Sequence, residues 1–313
     1  MSKQKIICVV GPTASGKTGL GIALAKKLGG EVISADSMQI YRDMHIASAA
    51  PDTDEMSGIP HHLVEFLEYG ESFTVADYVK LARDKISDIA ARGKLPIIVG
   101  GTGLYINSLV DNIEFIEQET DLSLREHLTE EFDRIGGEEM LARLMKLDEL
   151  AAKKLHANDK RRIIRAFEIY ESTGKTKSQQ DKQSRETPSP YSALMIGVTY
   201  KSREKLYERI NRRVDIMLEN GLLKEAKSAF LRGSEISSGA VQAIGHKEFF
   251  DYFKGEIPLE EAVENLKRST RRYAKRQLTW FNKDSRINWI NMDETDDATA
   301  VAIKLAEREE NYA

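Results

Sequence analysis

The residues best suited to do chemistry lie near the start of the chain, in Gly11-Pro12-Thr13-Ala14-Ser15-Gly16-Lys17-Thr18. They follow the apolar segment Ile6-Ile7-Cys8-Val9-Val10 and precede a helical pattern, Leu20, Ile22, Ala23, Leu24 and Leu28. Strand, glycine loop and helix in that order make a phosphate-binding loop. Glycines let backbone N–H groups turn inward around a phosphate. The N-terminus of the next helix adds partial positive charge. Lys17 can reach the outer phosphates of a nucleotide or diphosphate, and the Thr18 hydroxyl can ligate Mg²⁺. A glycine-rich structural turn is the plain alternative. The loop points to phosphate and leaves the reaction open.

Asp36 closes the apolar segment Glu31-Val32-Ile33-Ser34-Ala35. A carboxylate beside a phosphate loop can act as a general base or help to hold Mg²⁺; a turn cap is the structural alternative. Gly100-Gly101-Thr102-Gly103 can present the Thr102 hydroxyl to a ligand or simply turn a strand into a helix. Among Arg209, Arg212 and Arg213, one can neutralise a leaving phosphate, or all three can pair with Glu208 and Asp215 at the surface. Lys267, Arg271 and Lys275 form one i, i+4 row, and Arg268, Arg272 and Arg276 a second. Such a ridge suits a polyanion, or else a solvated face. Lys160, Arg161, Arg162 and Arg165 make a second cluster, and two separate clusters favour an extended partner such as RNA. His61 and His62 lack ligand partners at zinc spacing.

These groups need a scaffold to position them. The pattern of residues 1–110 is strand and helix in alternation: strands at 6–10, 31–36 and 95–99, and a helix over 75–91 with Val75, Tyr78, Val79, Ala82, Ile86 and Ile89 on one face. Short apolar strands separated by helices predict an α/β fold with a parallel sheet covered on both faces. The phosphate loop, Asp36 and Thr102 all follow strand carboxyl ends, where ligands bind in such sheets. Residues 115–192 read as a charged, all-helical insertion. Residues 193–198 read as a returning strand, 203–283 as helical, and 293–310 as an acidic terminal helix. The chain has 313 residues, 31% charged and 41% hydrophobic, with net charge −4 and one cysteine. One cysteine excludes an internal disulfide. The opening Ser2-Lys3-Gln4-Lys5 is unlike a secretory leader, and no apolar run is long enough for a membrane span; a cytoplasmic location is expected.

Several segments together resemble the bacterial tRNA dimethylallyltransferase (tRNA isopentenyltransferase) family. They are Gly11–Thr18, Asp36-Ser37-Met38-Gln39-Ile40-Tyr41-Arg42-Asp43-Met44, Pro60-His61-His62-Leu63 and Gly100-Gly101-Thr102-Gly103-Leu104-Tyr105. His156-Ala157-Asn158-Asp159 with Arg161 and Arg165, Ala243-Ile244-Gly245-His246-Lys247-Glu248 and Lys275-Arg276-Gln277-Leu278-Thr279-Trp280-Phe281 follow. The resemblance implies a P-loop NTPase-like core over 1–114 and 193–313, with tRNA-binding helices at its C-terminal end and a tRNA-contacting insertion at 115–192. It implies transfer of a dimethylallyl group from dimethylallyl diphosphate to N6 of adenosine 37, with Mg²⁺ as cofactor and the enzyme acting as a monomer. Asp36 would be the general base, Thr102 would orient it or the adenine, and Lys17 with Arg209 or Arg213 would bind the diphosphate. The implied tRNA contacts are Asp36, Ser37, Met38, Gln39, Thr102, Arg125, Arg161, Arg162, Ile163, Ile164 and Arg165. They continue through Gln242, Ala243, Ile244, Gly245, His246 and Lys247 to Lys275, Arg276, Gln277, Leu278, Thr279, Trp280, Phe281 and Asn282.

The chain departs from the family pattern at Ala47-Ser48-Ala49-Ala50-Pro51, where a lysine is usual, and at His246, where tyrosine is usual. Three other readings compete: a P-loop kinase of a nucleoside or small metabolite, an isopentenyltransferase acting on a free adenine nucleotide, and an RNA-binding protein with a vestigial nucleotide site. The first two leave the basic ridge unexplained. Intact Lys17, Thr18 and Asp36 argue against the third.

Overall fold

The computed structural model describes residues 3–115, 121–233, 240 and 243–308. Its first half contains β1 (Gln4–Val10), α1 (Lys17–Leu28), β2 (Gly30–Ser34), β3 (His61–His62), α2 (Val75–Ala91), β4 (Leu95–Gly100) and α3 (Gly103–Val110). Three longer helices follow: α4 (Leu122–Ile135), α5 (Gly137–Leu147) and α6 (Lys160–Thr173). The chain then continues through β5 (Tyr191–Thr199), α7 (Arg203–Glu219), α8 (Leu222–Arg232), α9 (Leu259–Phe281), β6 (Asn288–Asn291) and α10 (Ala298–Arg308).

The strands form one six-stranded sheet in the order β3-β2-β4-β1-β5-β6, with every pairing parallel. Central β1 shows why the expectation of a parallel sheet holds. Ile6, Ile7, Cys8, Val9 and Val10 are all fully buried, because helices cover both faces. Ile6, Cys8 and Val10 pack with Tyr78, Ile86 and Ile89 of α2 and with α3 residues. Ile7 and Val9 point the other way, to Leu20 and Leu24 of α1 and Ala302 and Ala306 of α10. Each such side chain contributes about 1.5–3 kcal/mol by leaving water. Helix α2 begins where its sequence dictates: Thr74 and Asp77 make a reciprocal capping box.

Two compact units divide the chain: Met1–Val110 with Pro190–Ala313, and Asp111–Ser189. The second has helices and no strand among its described residues and has its own core, in which Leu144, Ala152 and Ala166 pack with Leu141, Leu147, Leu155 and Phe167. Edge strands β3 and β6 were not expected. They have 2 and 4 residues, too few to show a period of two. The terminal helix is shorter than its acidic segment, because Met292–Asp297 forms turns before α10.

Candidate active site

The phosphate loop leaves β1 over the start of α1. A Cβ at Gly11 would lie 2.3 Å from the Val198 carbonyl oxygen, so only glycine allows β5 to approach this closely. Gly16, at φ 97°, takes the left-handed conformation that caps α1. The first turn of α1 carries no acidic residue to answer its partial charge. Ser15 is buried, and its hydroxyl has no hydrogen-bond partner among the described residues. An orphaned hydroxyl in such a loop suits a ligand oxygen. Within the loop, Lys17 Nζ donates to Pro12 O at 3.3 Å, and from outside it Arg209 Nε donates to Ala14 O at 3.1 Å.

Asp36 lies just past the end of β2. Its Oδ1 accepts from Met38 N at 2.9 Å, and Thr102 Oγ1 accepts from Ser37 N at 3.0 Å. Ala35 O accepts from Thr102 N at 3.1 Å, and a Cβ at Gly100 would stand 2.1 Å from that same oxygen. The ends of β2 and β4 are therefore locked together, with Asp36 and Thr102 on facing turns. Burial, and then the Arg213 charge, pulls the Lys17 ammonium down to about 8, against the upward pull of Asp36. Burial likewise lowers the Arg213 guanidinium, which Asp36 and Glu55 partly offset. Two cations facing one carboxylate leave a net positive field, suited to an anion.

A narrow cleft of about 20 Å³ lies beside these groups. Lys17, Thr18 and Asp36 line it together with apolar Val32, Pro51, Val64 and Val99. His61 lines it too: its Nδ1 is 2.8 Å from Ile59 O, which assigns the proton there. Its Nε2 is buried without a hydrogen-bond partner, and burial lowers the pKa of the ring. Ser34 Oγ donates to Gln39 Oε1 at 2.8 Å, and Gln39 Nε2 donates to Ala49 O at 3.1 Å. Both ends of that amide are thus used within the protein. Thr18 and Asp36 offer the hard oxygen donors that suit Mg²⁺, which takes few protein ligands beside substrate phosphates.

Helix α9 closes one side. Gln277 Oε1 accepts from Thr13 N at 2.8 Å, and Gln277 Nε2 donates to Gly101 O at 3.0 Å. Trp280 covers Gly103, where a Cβ would meet its ring at 2.3 Å, and its Nε1 donates to Asn107 Oδ1 at 3.3 Å. Tyr273 lies beside Thr102 and Gln277; burial, and then the charge of Asp36, pushes its phenol above the ordinary range. Its place beside Thr102 depends on a packing that no local pattern reveals.

The remaining residues implied for tRNA fall into two groups. Arg161, Arg162, Lys247, Lys275, Arg276, Thr279 and Asn282 are exposed, with Trp280 43% exposed. Ile163, Ile164, Ala243, Gly245, His246, Gln277 and Phe281 are buried, and Ile244 and Leu278 partly so. Arg125 and Arg165 both pair with Glu168, which is 5% exposed. Burial would raise that carboxyl, but the two guanidiniums outweigh it and hold it below the ordinary range. Gln242 lies outside the described residues. His246 Nε2 lies 2.7 Å from Glu225 Oε1, and Glu225 also accepts from Ile46 N and Ala47 N at 2.8 and 2.9 Å. Gly245, at φ 119°, packs against Ala47. The two departures from the family pattern therefore meet each other.

The basic ridge also divides. Lys267 pairs with Asp215 at 2.6 Å, while Arg271 bonds Asn211 at 2.7 Å and Glu264 at 2.8 Å. Arg272, Lys275 and Arg276 are exposed, with the Arg276 guanidinium 5.5 Å from the Tyr273 ring centre.

A family model described as IPP transferase matches residues 39–284. A tRNA dimethylallyltransferase of Halalkalibacterium halodurans is 48% identical over 294 residues, 94% of this chain and 93% of that relative. The tRNA dimethylallyltransferase of Bacillus subtilis is 48% identical over 291 residues, 93% of this chain and 92% of that protein. Among solved structures, the full-length tRNA isopentenylpyrophosphate transferase of Bacillus halodurans superposes with TM-score 0.72 at 44% identity, covering 98% of this chain and 99% of that one. A eukaryotic dimethylallyltransferase acting on tRNA gives TM-score 0.82 at 31% identity, covering 98% of this chain and 79% of that one.

Proposed function

The chain belongs to the IPP transferase family, and from that premise we propose that it moves the dimethylallyl group of dimethylallyl diphosphate to N6 of adenosine 37 in tRNA. One observation carries this reading. A single cleft joins a cationic phosphate loop, a carboxylate and an apolar wall, which match the diphosphate, the reacting centre and the five-carbon chain of the donor. The carbon–oxygen bond to diphosphate breaks, the N6–carbon bond forms, and the N6 proton goes to Asp36. An exocyclic amine is a weak nucleophile because its lone pair is conjugated with the ring, so a placed base matters. Thr102 holds the 36–38 turn in position through Ser37 N.

Lys17 and Arg213 neutralise the leaving diphosphate, and Arg213 is the better placed of the two arginines because it shares the field of Lys17 and Asp36. Arg209 braces the loop through Ala14 O. Thr18 would hold Mg²⁺, which supplies charge neutralisation of the diphosphate when bound. The base must leave its stack to reach Asp36. The exposed cations of α9, and Arg161 and Arg162 of the helical unit, provide the phosphate-facing surfaces. We place the enzyme in the cytoplasm as a monomer; no described helix is long and apolar enough to cross a membrane.

The test is label transfer from dimethylallyl diphosphate with Mg²⁺ to unmodified tRNA, with AMP and ATP as parallel acceptors. The expected product is labelled tRNA, lost when adenosine 37 becomes guanosine. Label only in free nucleotide, or phosphoryl transfer from ATP instead, overturns the reading.

A further inference from the structure

Three consecutive residues of the phosphate loop have a backbone group taken by a side chain, two of them by side chains from outside the loop. Lys17 takes Pro12 O, Arg209 takes Ala14 O, and between them Gln277 takes Thr13 N. The third contact differs in kind. Lys17 and Arg209 occupy carbonyls, which a phosphate would not use. Gln277 takes an N–H, the group with which such loops bind phosphate, and withdraws it from the ligand. Its other end donates to Gly101 O, in the turn that carries Thr102. The residue is 5% exposed, so its amide faces the protein and not an RNA. A Cβ at Gly101 would lie 2.1 Å from Nε2, so that glycine leaves room for the amide. Its immediate neighbours Lys275 and Arg276 lie on the solvent face of the same helix.

We infer that Gln277 is a positioning residue that ties the phosphate loop and the Gly101–Thr102 turn to α9, so that the diphosphate affinity of the loop depends on this helix. Linkage then requires that an RNA which biases α9 also biases the loop, and that diphosphate acts back on RNA affinity by the same factor. The inference rests on the diphosphate reading of the loop given above.

The probe is inorganic pyrophosphate with Mg²⁺, titrated by calorimetry into the full chain with and without an unmodified anticodon stem-loop RNA. Replacing two hydrogen bonds in Gln277→Leu is expected to weaken pyrophosphate binding about tenfold. The affinity for the stem-loop alone should stay near wild type. The transfer rate at saturating dimethylallyl diphosphate should fall less than pyrophosphate affinity does, so that KM carries most of the loss. Gly101→Ala leaves Gln277 in the sequence but pushes its amide away, and it serves if Gln277→Leu does not fold. The sharper reading is their combination. Gly101→Ala should cost affinity in the wild type and nothing further in Gln277→Ala, whose side chain no longer needs the space. Wild-type pyrophosphate affinity in both single variants overturns the inference, as does simple addition of the two losses. A wild-type chain that binds no pyrophosphate overturns the diphosphate reading itself, and the inference with it.

Discussion

The phosphate loop and the basic ridge of α9 both gather residues suited to phosphate, yet their sequences translate into structure very differently. In the loop the motif fixes the backbone: Gly11 and Gly16 occupy conformations and close approaches that other residues resist, and Lys17 and Thr18 line the cleft. On α9, chemically similar cations go to opposite fates. Lys267 and Arg271 are tied to Asp215, Asn211 and Glu264, whereas Arg272, Lys275 and Arg276 meet solvent. A motif written in backbone geometry carries its own context. A run of charge acquires its meaning only from what packs beside it.

The largest expected effect separates chemistry from grip. Asp36→Ala should lower single-turnover transfer by about 10²–10⁴-fold, with tRNA binding held within a few-fold; equal loss of both would remove Asp36 from the role of base. Next comes the choice between arginines. Arg213→Ala should weaken pyrophosphate binding by about 10–100-fold, on the scale of a lost charge-assisted contact, and Arg209→Ala should weaken it less. The reverse order in calorimetry would exchange their roles.

Lys17 gives a pH signature. Its folded-state value of about 8 lies below the ordinary 10.5, so the folded chain holds fewer protons than the unfolded chain between those values. Stability should therefore gain from this group as pH rises from 8 to 10.5 and carry its full cost below 8. Pyrophosphate favours the charged ammonium, so binding should take up protons near pH 8, and affinity should fall above it by up to about tenfold per unit. Calorimetry in buffers of different ionisation enthalpy measures the uptake.

The smallest effect tests the ridge. Neutralising Arg272 and Arg276 should reduce the salt slope of tRNA binding by about 0.7–0.9 per lost phosphate contact. Neutralising Lys267 and Arg271 should instead lower thermal stability, by about 1 kcal/mol or less for such part-exposed pairs, and leave the slope unchanged. Equal slopes for the two pairs would erase the division.

Much of the scaffold was legible because its signals are local. The apolar run of β1, the apolar face of α2, and the glycine turn after β4 each lie within one stretch of chain. The site was legible where it sits at strand ends, as Asp36 and Thr102 do. What escaped is non-local. Gln277 meets Thr13 across 264 positions of sequence, Tyr273 finds Thr102 from another helix, and Glu168 draws Arg125 and Arg165 together. His246 was noticed as a departure, but its partner Glu225 carried no signal until α8 placed it there.

Cys8 sits at the centre of β1, the strand that delivers the phosphate loop, and burial pushes its thiol up to about 12. It is also the sole thiol of the chain. A thiol reagent at neutral pH can therefore react only when the middle of the sheet opens. The protein carries a built-in chemical clock for the unfolding of its own catalytic core, and it leaves any cysteine engineered at the surface as the one site a fluorophore can label.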